Sequence, residues 1–201
     1  MKNPLDEVIE PRATQEEMTN FIETELTESL KGLPTRTTQF GRFDKGLAYT
    51  ILMKYYMHEK NWAKAEECGR ELLKAEYGYG LMDRYADIFT LENEGNKEII
   101  FACTEERGTN LQLWHDHALP GNYPTKNASI QKWDGYKVPW PFYRTFEEGD
   151  DRLSVLVGEY VGTDGVLFNE ESDIAKHGNL YSGAVPVKYG EDPESTGDGS
   201  Q

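Results

Sequence analysis

Apolar residues recur at helical spacing through the first third of the chain. Thr14 and Glu17 stand just ahead of the series Met18, Phe21, Ile22, Leu26 and Leu30. A Thr followed three positions later by Glu satisfies the orphan amide donors at a helix start, so a helix is predicted from Thr14 to Leu30. Gly32 and Pro34 end it, and Glu16, Glu23, Glu25 and Glu28 make its outer face acidic. A second helix is predicted from about Asp44 to Glu59. It carries adjoining apolar stripes: Phe43, Leu47, Ile51 and Tyr55; Ala48, Leu52 and Tyr56; Tyr49, Met53 and Met57. A helix apolar around most of its circumference packs between neighbours on two sides. The third helix starts at Asn61, a favourable N-cap. Trp62, Ala65, Gly69, Leu72 and Leu73 face inward, while Lys64, Glu66, Glu67, Arg70, Glu71 and Lys74 face outward. The short break between the second and third helices forces an antiparallel hairpin.

After this hairpin the periodicity weakens. A short helix is predicted at Met82–Phe89, behind the Gly-rich turn Tyr77–Gly80, and Glu98–Cys103 is apolar and β-rich. Residues 108–150 are rich in Gly, Pro, Asn, Trp and Tyr, and read as a long loop region. Loops of that length are functional or disordered, and Trp114, Tyr123, Trp133, Tyr136 and Trp140 argue against disorder. Leu153–Val161 alternates as a strand, Thr163–Gly165 is a turn signal, and Val166–Phe168 suits the returning strand. Gly190–Gln201 holds acids, glycines and no base, the composition of a flexible segment. The hairpin, with Trp and Tyr at its front and Ala65 and Gly69 behind, is similar to a tetratricopeptide unit. One unit cannot bury its own faces and about three make a stable array, so partner helices are expected elsewhere. The expected fold is mainly α: tetratricopeptide-like helical hairpins, a loop-rich remainder and a few short strands. Residues 1–106 form the helical part and 107–201 the loop-rich part, both within one domain.

Charge narrows the partners. The chain has 21 basic against 36 acidic residues, a net charge of −15. It repels nucleic-acid phosphates and anionic membrane faces and suits neutral ligands or cationic partner surfaces. Cys68 and Cys103 stand in no metal-ligand spacing; one disulfide between them is possible but nothing demands it. Cys68, inside a helical pattern, is expected to be a buried thiol. No stretch approaches the ~20 apolar residues of a membrane-spanning helix. Met1–Glu10 has no apolar signal core, so either the protein is cytoplasmic or an export signal lies outside this sequence.

The candidate ligand-binding residues are Trp114, Tyr123, Asn127, Trp133 and Tyr136. Pyranose rings present a face of C–H groups on which flat aromatic rings stack, while polar neighbours bond the hydroxyls. Asn122, Lys126, Asn127 and Asp134 are placed to supply those polar contacts; the competing role for the aromatics is to anchor the loop on the helices. Trp140, between Pro139 and Pro141, is assigned to the core. His115-Asp116-His117 would bring two imidazoles to one side of an extended chain, but no third ligand is placed, so no metal is expected. Glu105/Glu106 and Glu147/Glu148 are adjacent carboxylates that point apart and lack the separation that glycoside hydrolysis requires. Glu147, Asp150 and Arg152 read as an ion-pair and turn-capping cluster. Gly78-x-Gly80 lacks the third glycine of a dinucleotide loop, and no cofactor is expected.

Ordered motifs point further. Asp44-Lys45-Gly46-Leu47-Ala48-Tyr49, Tyr55-Tyr56 and Asn61-Trp62-Ala63-Lys64-Ala65 resemble the helical hairpin of the SusD/RagB family. Tyr79, Leu81, Phe89, Asn93-Glu94, Asn96 and Glu98-Ile99-Ile100-Phe101 continue the likeness in order. Trp140, Phe142-Tyr143, Phe146-Glu147, Gly149-Asp150 and Arg152 resemble the family's aromatic-then-GDxR segment, and Lys188-Tyr189 its later Lys-Tyr pair. Asp151 departs from the family, which commonly has proline there, and the family's signal peptide and lipid-anchor cysteine are not in this sequence. The resemblance implies helix pairs of tetratricopeptide type, of which this chain would be an internal portion. It implies a non-catalytic outer-membrane lipoprotein at the surface of Bacteroidetes-type bacteria. Such a protein captures oligosaccharides or other nutrients for a TonB-dependent (SusC-like) porin. The alternative is a protein-interaction scaffold of tetratricopeptide-like helices with no glycan ligand.

Overall fold

A computed structural model describes residues 11–105, 113–171 and 178–194. They fall into two compact units that divide between Tyr79 and Gly80.

The first unit is built from three helices: α1 (Gln15–Ser29), α2 (Lys45–His58) and α3 (Trp62–Leu72). The capping box at the head of α1 is formed: the Glu17 amide donates to Thr14 Oγ1 at 3.2 Å, and the Thr14 amide donates to Glu17 Oε2 at 2.8 Å. Asp44 caps α2 by accepting from the Leu47 amide at 3.0 Å, and its other oxygen takes the Thr37 amide. α2 ends in a Schellman turn. Lys60 sits at φ 59°, the Asn61 amide returns to Tyr56 O at 2.8 Å, and the Lys60 amide returns to Met57 O at 3.1 Å. This tight turn folds α3 back along α2. Leu52, Tyr56, Ala65 and Cys68 form the core, with Leu26 and Leu30 of α1 packed against it. Cys68 is a buried free thiol, as expected, and Cys103 in the second unit is an exposed one.

Two expectations about these helices need correcting. Trp62 and Leu73, placed on the inner face of the third helix, are 63% and 82% exposed; the buried positions are Ala65, Cys68 and Leu72. The hairpin contact runs along the Ala65–Cys68–Leu72 line, and Trp62 at the helix start lies off it. Likewise, α2 buries Ala48, Leu52 and Tyr56, whereas Ile51 and Met57 remain exposed. Only part of its apolar circumference is covered.

The second unit is held by short strands. A three-stranded antiparallel sheet runs in the order β1 (Val138–Pro139), β5 (Gly183–Pro186), β2 (Leu156–Val157). β3 (Glu159–Val161) and β4 (Leu167–Asn169) form a hairpin with Tyr160 opposite Phe168. Two single-turn helices also belong to it, α4 (Trp114–Ala118) and α5 (Trp140–Tyr143). The central strand β5 is buried along its whole length. A Cβ on Gly183 would lie 2.1 Å from Val138 O, so only glycine lets the strands approach this closely. Trp140 is core, as expected: it is buried and its indole N–H donates to Leu180 O at 2.8 Å. Leu119, Ile130, Leu180, Ala184 and Val185 complete the cluster.

Here too the sequence reading is revised. Met82–Phe89 holds only a 3-10 turn, Ala86–Phe89. Glu98–Cys103 is not a strand, because among the described residues no strand pairs with it; instead Glu98 accepts from the Met82 amide at 2.8 Å. Leu153–Val161 begins as a 3-10 turn (Asp151–Val155) capped by Asp150. It then breaks at Gly158 into β2 and β3, so one predicted strand serves two sheets. The hairpin with Val166–Phe168 is present. Residues 80–105, read from sequence with the helical part, make their contacts in the second unit. The Tyr85 amide donates to the Asp151 carboxylate, and the Phe89 ring lies 5.8 Å from that of Tyr189. The tail is packed at its start: Asp192 is buried and Glu191 accepts two backbone amides, so the predicted flexible segment does not begin at Gly190. Residues 195–201 of that segment lie outside the described residues.

Candidate functional site

Helix α4 is too short to satisfy its own terminal carbonyls, and the loop after Ile130 supplies the donors. The Trp133 amide donates to Asp116 O at 2.6 Å. The Gly135 and Tyr136 amides both donate to His117 O, at 2.6 and 2.7 Å, and the Asp134 amide donates to Leu119 O at 3.1 Å. The buried Asp116 carboxylate accepts the Gln131 amide at 2.8 Å. Asp134 takes the left-handed conformation (φ 56°) that this tight loop needs, which Asp tolerates better than most residues, and its carboxylate pairs with Lys137. The side chains of Trp133, Asp134 and Tyr136 are thereby fixed on a helix end by main-chain bonds.

Those bonds assemble a continuous run of rings. The His117 imidazole lies edge-on to Trp133 at 4.7 Å and stacked on Tyr136 at 5.0 Å. Tyr136 meets Trp114 at 5.6 Å, and Trp114 meets Tyr189 at 5.6 Å. The ends of this run differ in exposure. Trp133 and Tyr136 are each 47% exposed, whereas Trp114 is half-buried with its indole N–H donating to Pro186 O at 2.9 Å. Large exposed rings held rigidly side by side are what the flat C–H face of a sugar stacks upon.

The His115-Asp116-His117 triplet is helical, not extended. Residues two apart on a helix face nearly opposite ways, so His115 is buried and His117 turns out between Trp133 and Tyr136. Among the described residues no group of three or more His, Cys, Asp and Glu side chains is arranged to hold a metal ion.

Tyr123 and Asn127 stand apart from the ring run. Asn127 is buried, donates to Asp192 O at 2.6 Å and accepts the Ser129 amide at 2.8 Å, so it ties the loop to the tail. Tyr123 packs 5.0 Å from Tyr160 and lines a cleft of ≈ 260 Å³ with His115, Lys126, Tyr189 and Glu191. Glu191 Oε2 accepts the amides of Lys126 (2.7 Å) and Asn127 (3.2 Å). Burial holds the His115 imidazole below its usual pKa, against the opposing effects of a hydrogen bond with the Tyr189 backbone and the Glu191 charge. Burial, and then the Glu191 charge, pushes the Tyr123 phenol up, so it stays protonated. Asn122, a predicted polar contact, is instead engaged with Tyr160 and Asn179.

The structure thus brings Trp114, Trp133 and Tyr136 together and sets Tyr123 and Asn127 elsewhere. The sequence names His117 only as a weak metal candidate and does not single out Glu191. His117 was hidden by the assumption of extended backbone, and Glu191 by the acidic composition of the tail. Asp150 and Arg152 form the anticipated ion pair, 2.5 Å apart, with Arg152 over the Phe146 ring. The Arg152 side chain and amide hold the Asp150 carboxyl down at about 2.

No family model and no curated protein matches this sequence. Solved structures do. A SusD superfamily protein of Bacteroides fragilis superposes with a TM-score of 0.63 at 17% identity, over 89% of this chain and 42% of its own. The surface glycan-binding protein A of Bacteroides thetaiotaomicron, in complex with laminarihexaose, gives 0.63 at 19% identity, over 87% and 41%. A SusD superfamily protein of Bacteroides vulgatus gives 0.56 at 23% identity, over 73% and 32%. The chain spans 28% to 42% of the length of these and related structures. With the helical hairpin, the buried Trp140 segment and the Asp150–Arg152 turn all in place, the fold of this chain is that of the SusD-like proteins.

Proposed function

We propose that the chain belongs to a non-catalytic surface protein that captures oligosaccharides through the Trp133–Tyr136 platform. The observation that carries this reading is the pair of half-exposed rings, braced by His117 and pinned to α4 by four main-chain hydrogen bonds. Adjoining exposed apolar rings rimmed by polar residues mark a ligand-binding surface. The likeness in fold to a glycan-binding protein holding laminarihexaose supports a sugar as that ligand. Delivery to a TonB-dependent porin at the outer membrane follows from the family resemblance, and the exposed Phe21, Trp62 and Leu73 of the helical unit suit a protein-facing surface.

The test is affinity electrophoresis through gels containing laminarin and a panel of plant and host polysaccharides. The wild-type chain is expected to be retarded by at least one, and Trp133→Ala with Tyr136→Ala to lose most of that retardation. Unretarded migration throughout, or full retention by the double variant, would refute the platform.

A further inference from the structure

The cleft beside the platform has the make-up of a site in its own right. Its aliphatic wall is Leu119 and Val187, its aromatic wall is Tyr189, and two groups of opposite charge, Lys126 and Glu191, stand at it. Glu191 is held in place by the amides of Lys126 and Asn127, so its orientation is set before any ligand arrives. Tyr123 is likewise fixed against Tyr160. At ≈ 260 Å³ the cleft falls just under the ~300–1,000 Å³ of sites for drug-sized ligands, which suits a single six-membered ring.

Charge narrows the ligand class, and the glycan reading chooses within it. An anion would meet the Glu191 carboxylate, and a cation would meet the Lys126 ammonium. A neutral polyol conflicts with neither, because each hydroxyl both donates and accepts. We infer that this cleft is a second sugar site, separate from the Trp133–Tyr136 platform. It takes one pyranose ring through two neighbouring hydroxyls, Lys126 donating to one and Glu191 accepting from the other. The ring's C–H face lies against Tyr189 and Val187. This inference rests on the glycan reading for its ligand class only. Two ring contacts of 5.6 Å, Tyr136 to Trp114 and Trp114 to Tyr189, connect platform and cleft.

The experiment is saturation-transfer NMR on the whole chain with methyl glucopyranoside, galactopyranoside and mannopyranoside. At least one is expected to bind. Lys126→Met, which keeps the exposed apolar stem, is expected to weaken that binding about fivefold, the size of one lost hydrogen bond. Glu191→Gln, which keeps an oxygen for the two backbone amides, should weaken it similarly with an unchanged melting temperature. Both are made in the Trp133→Ala, Tyr136→Ala background, which removes the platform, so the binding that is read is the cleft's. The cleft site is overturned if no pyranoside binds the wild type, if the platform double variant binds none, or if adding Lys126→Met to that double variant leaves binding unchanged. Retardation by polysaccharide, lost in the Trp133 and Tyr136 variants, judges the platform independently of these outcomes.

Discussion

His115 shows how one residue type takes two roles within a single helical turn. It is buried and its pKa is lowered chiefly by desolvation, from 6.5, while His117 two positions on is part of an exposed ring stack. A histidine whose folded pKa lies below its unfolded one binds protons more readily when unfolded. The folded state is therefore favoured in full above about pH 6.5 and loses that advantage as pH falls below it. Thermal melts between about pH 8 and pH 5 should show a decline that His115→Gln reduces; an identical slope in both proteins would contradict this. Trp133, Tyr136 and Trp114 were legible in the sequence as loop aromatics, because large rings among polar residues need either a core or a ligand. The brace between them was not legible. Whether His117 faces inward or outward depends on helical rather than extended backbone, and a Leu-Trp-His-Asp-His stretch carries no period to decide it.

At the scale of elements, the helical hairpin was the most legible part, since caps and period agree. Asp44, Asn61 and the Thr14–Glu17 box all stand at helix starts as predicted. The hairpin also carries a local cost: Lys60 occupies the left-handed position that glycine fills best. Lys60→Gly is expected to raise stability by about 1 kcal/mol, read from the denaturant midpoint. The short strands were the least legible. Two- to four-residue strands leave too few positions for alternation to register, and their pairing rests on distant partners. β5 pairs with strands that precede it by tens of positions. The sheet instead announces itself through one glycine. Gly183→Ala drives a methyl into the Val138 carbonyl and should cost about 2–3 kcal/mol. A melting temperature equal to wild type would mean that β1 moves aside freely.

At the scale of the whole molecule, charge is the dominant property. A net charge of −15 places the protein in a negative field that extends about 10 Å at 0.1 M salt. Neutral polysaccharides are unaffected by that field, and sulfated or uronic polymers are repelled. Affinity for a neutral glycan should therefore change little between about 0.05 and 0.5 M NaCl, while any affinity for an anionic one should rise with salt. Calorimetric titration across that range distinguishes the two. The mainly helical class and the order of the parts were legible from ordered motifs. The grouping of residues 80–105 with the loop-rich unit was not, because it depends on side-chain and main-chain contacts such as Tyr85 with Asp151 and Phe89 with Gly190.

The two thiols differ in a way that has a practical use. Cys68 is buried, and desolvation raises its pKa, whereas Cys103 is exposed. A maleimide reagent attacks the accessible thiolate, so under native conditions it couples at Cys103 and leaves Cys68 untouched. This chain thus carries a single accessible attachment point. It can be tethered to a sensor surface in one orientation, or carry one fluorophore, without any engineered cysteine.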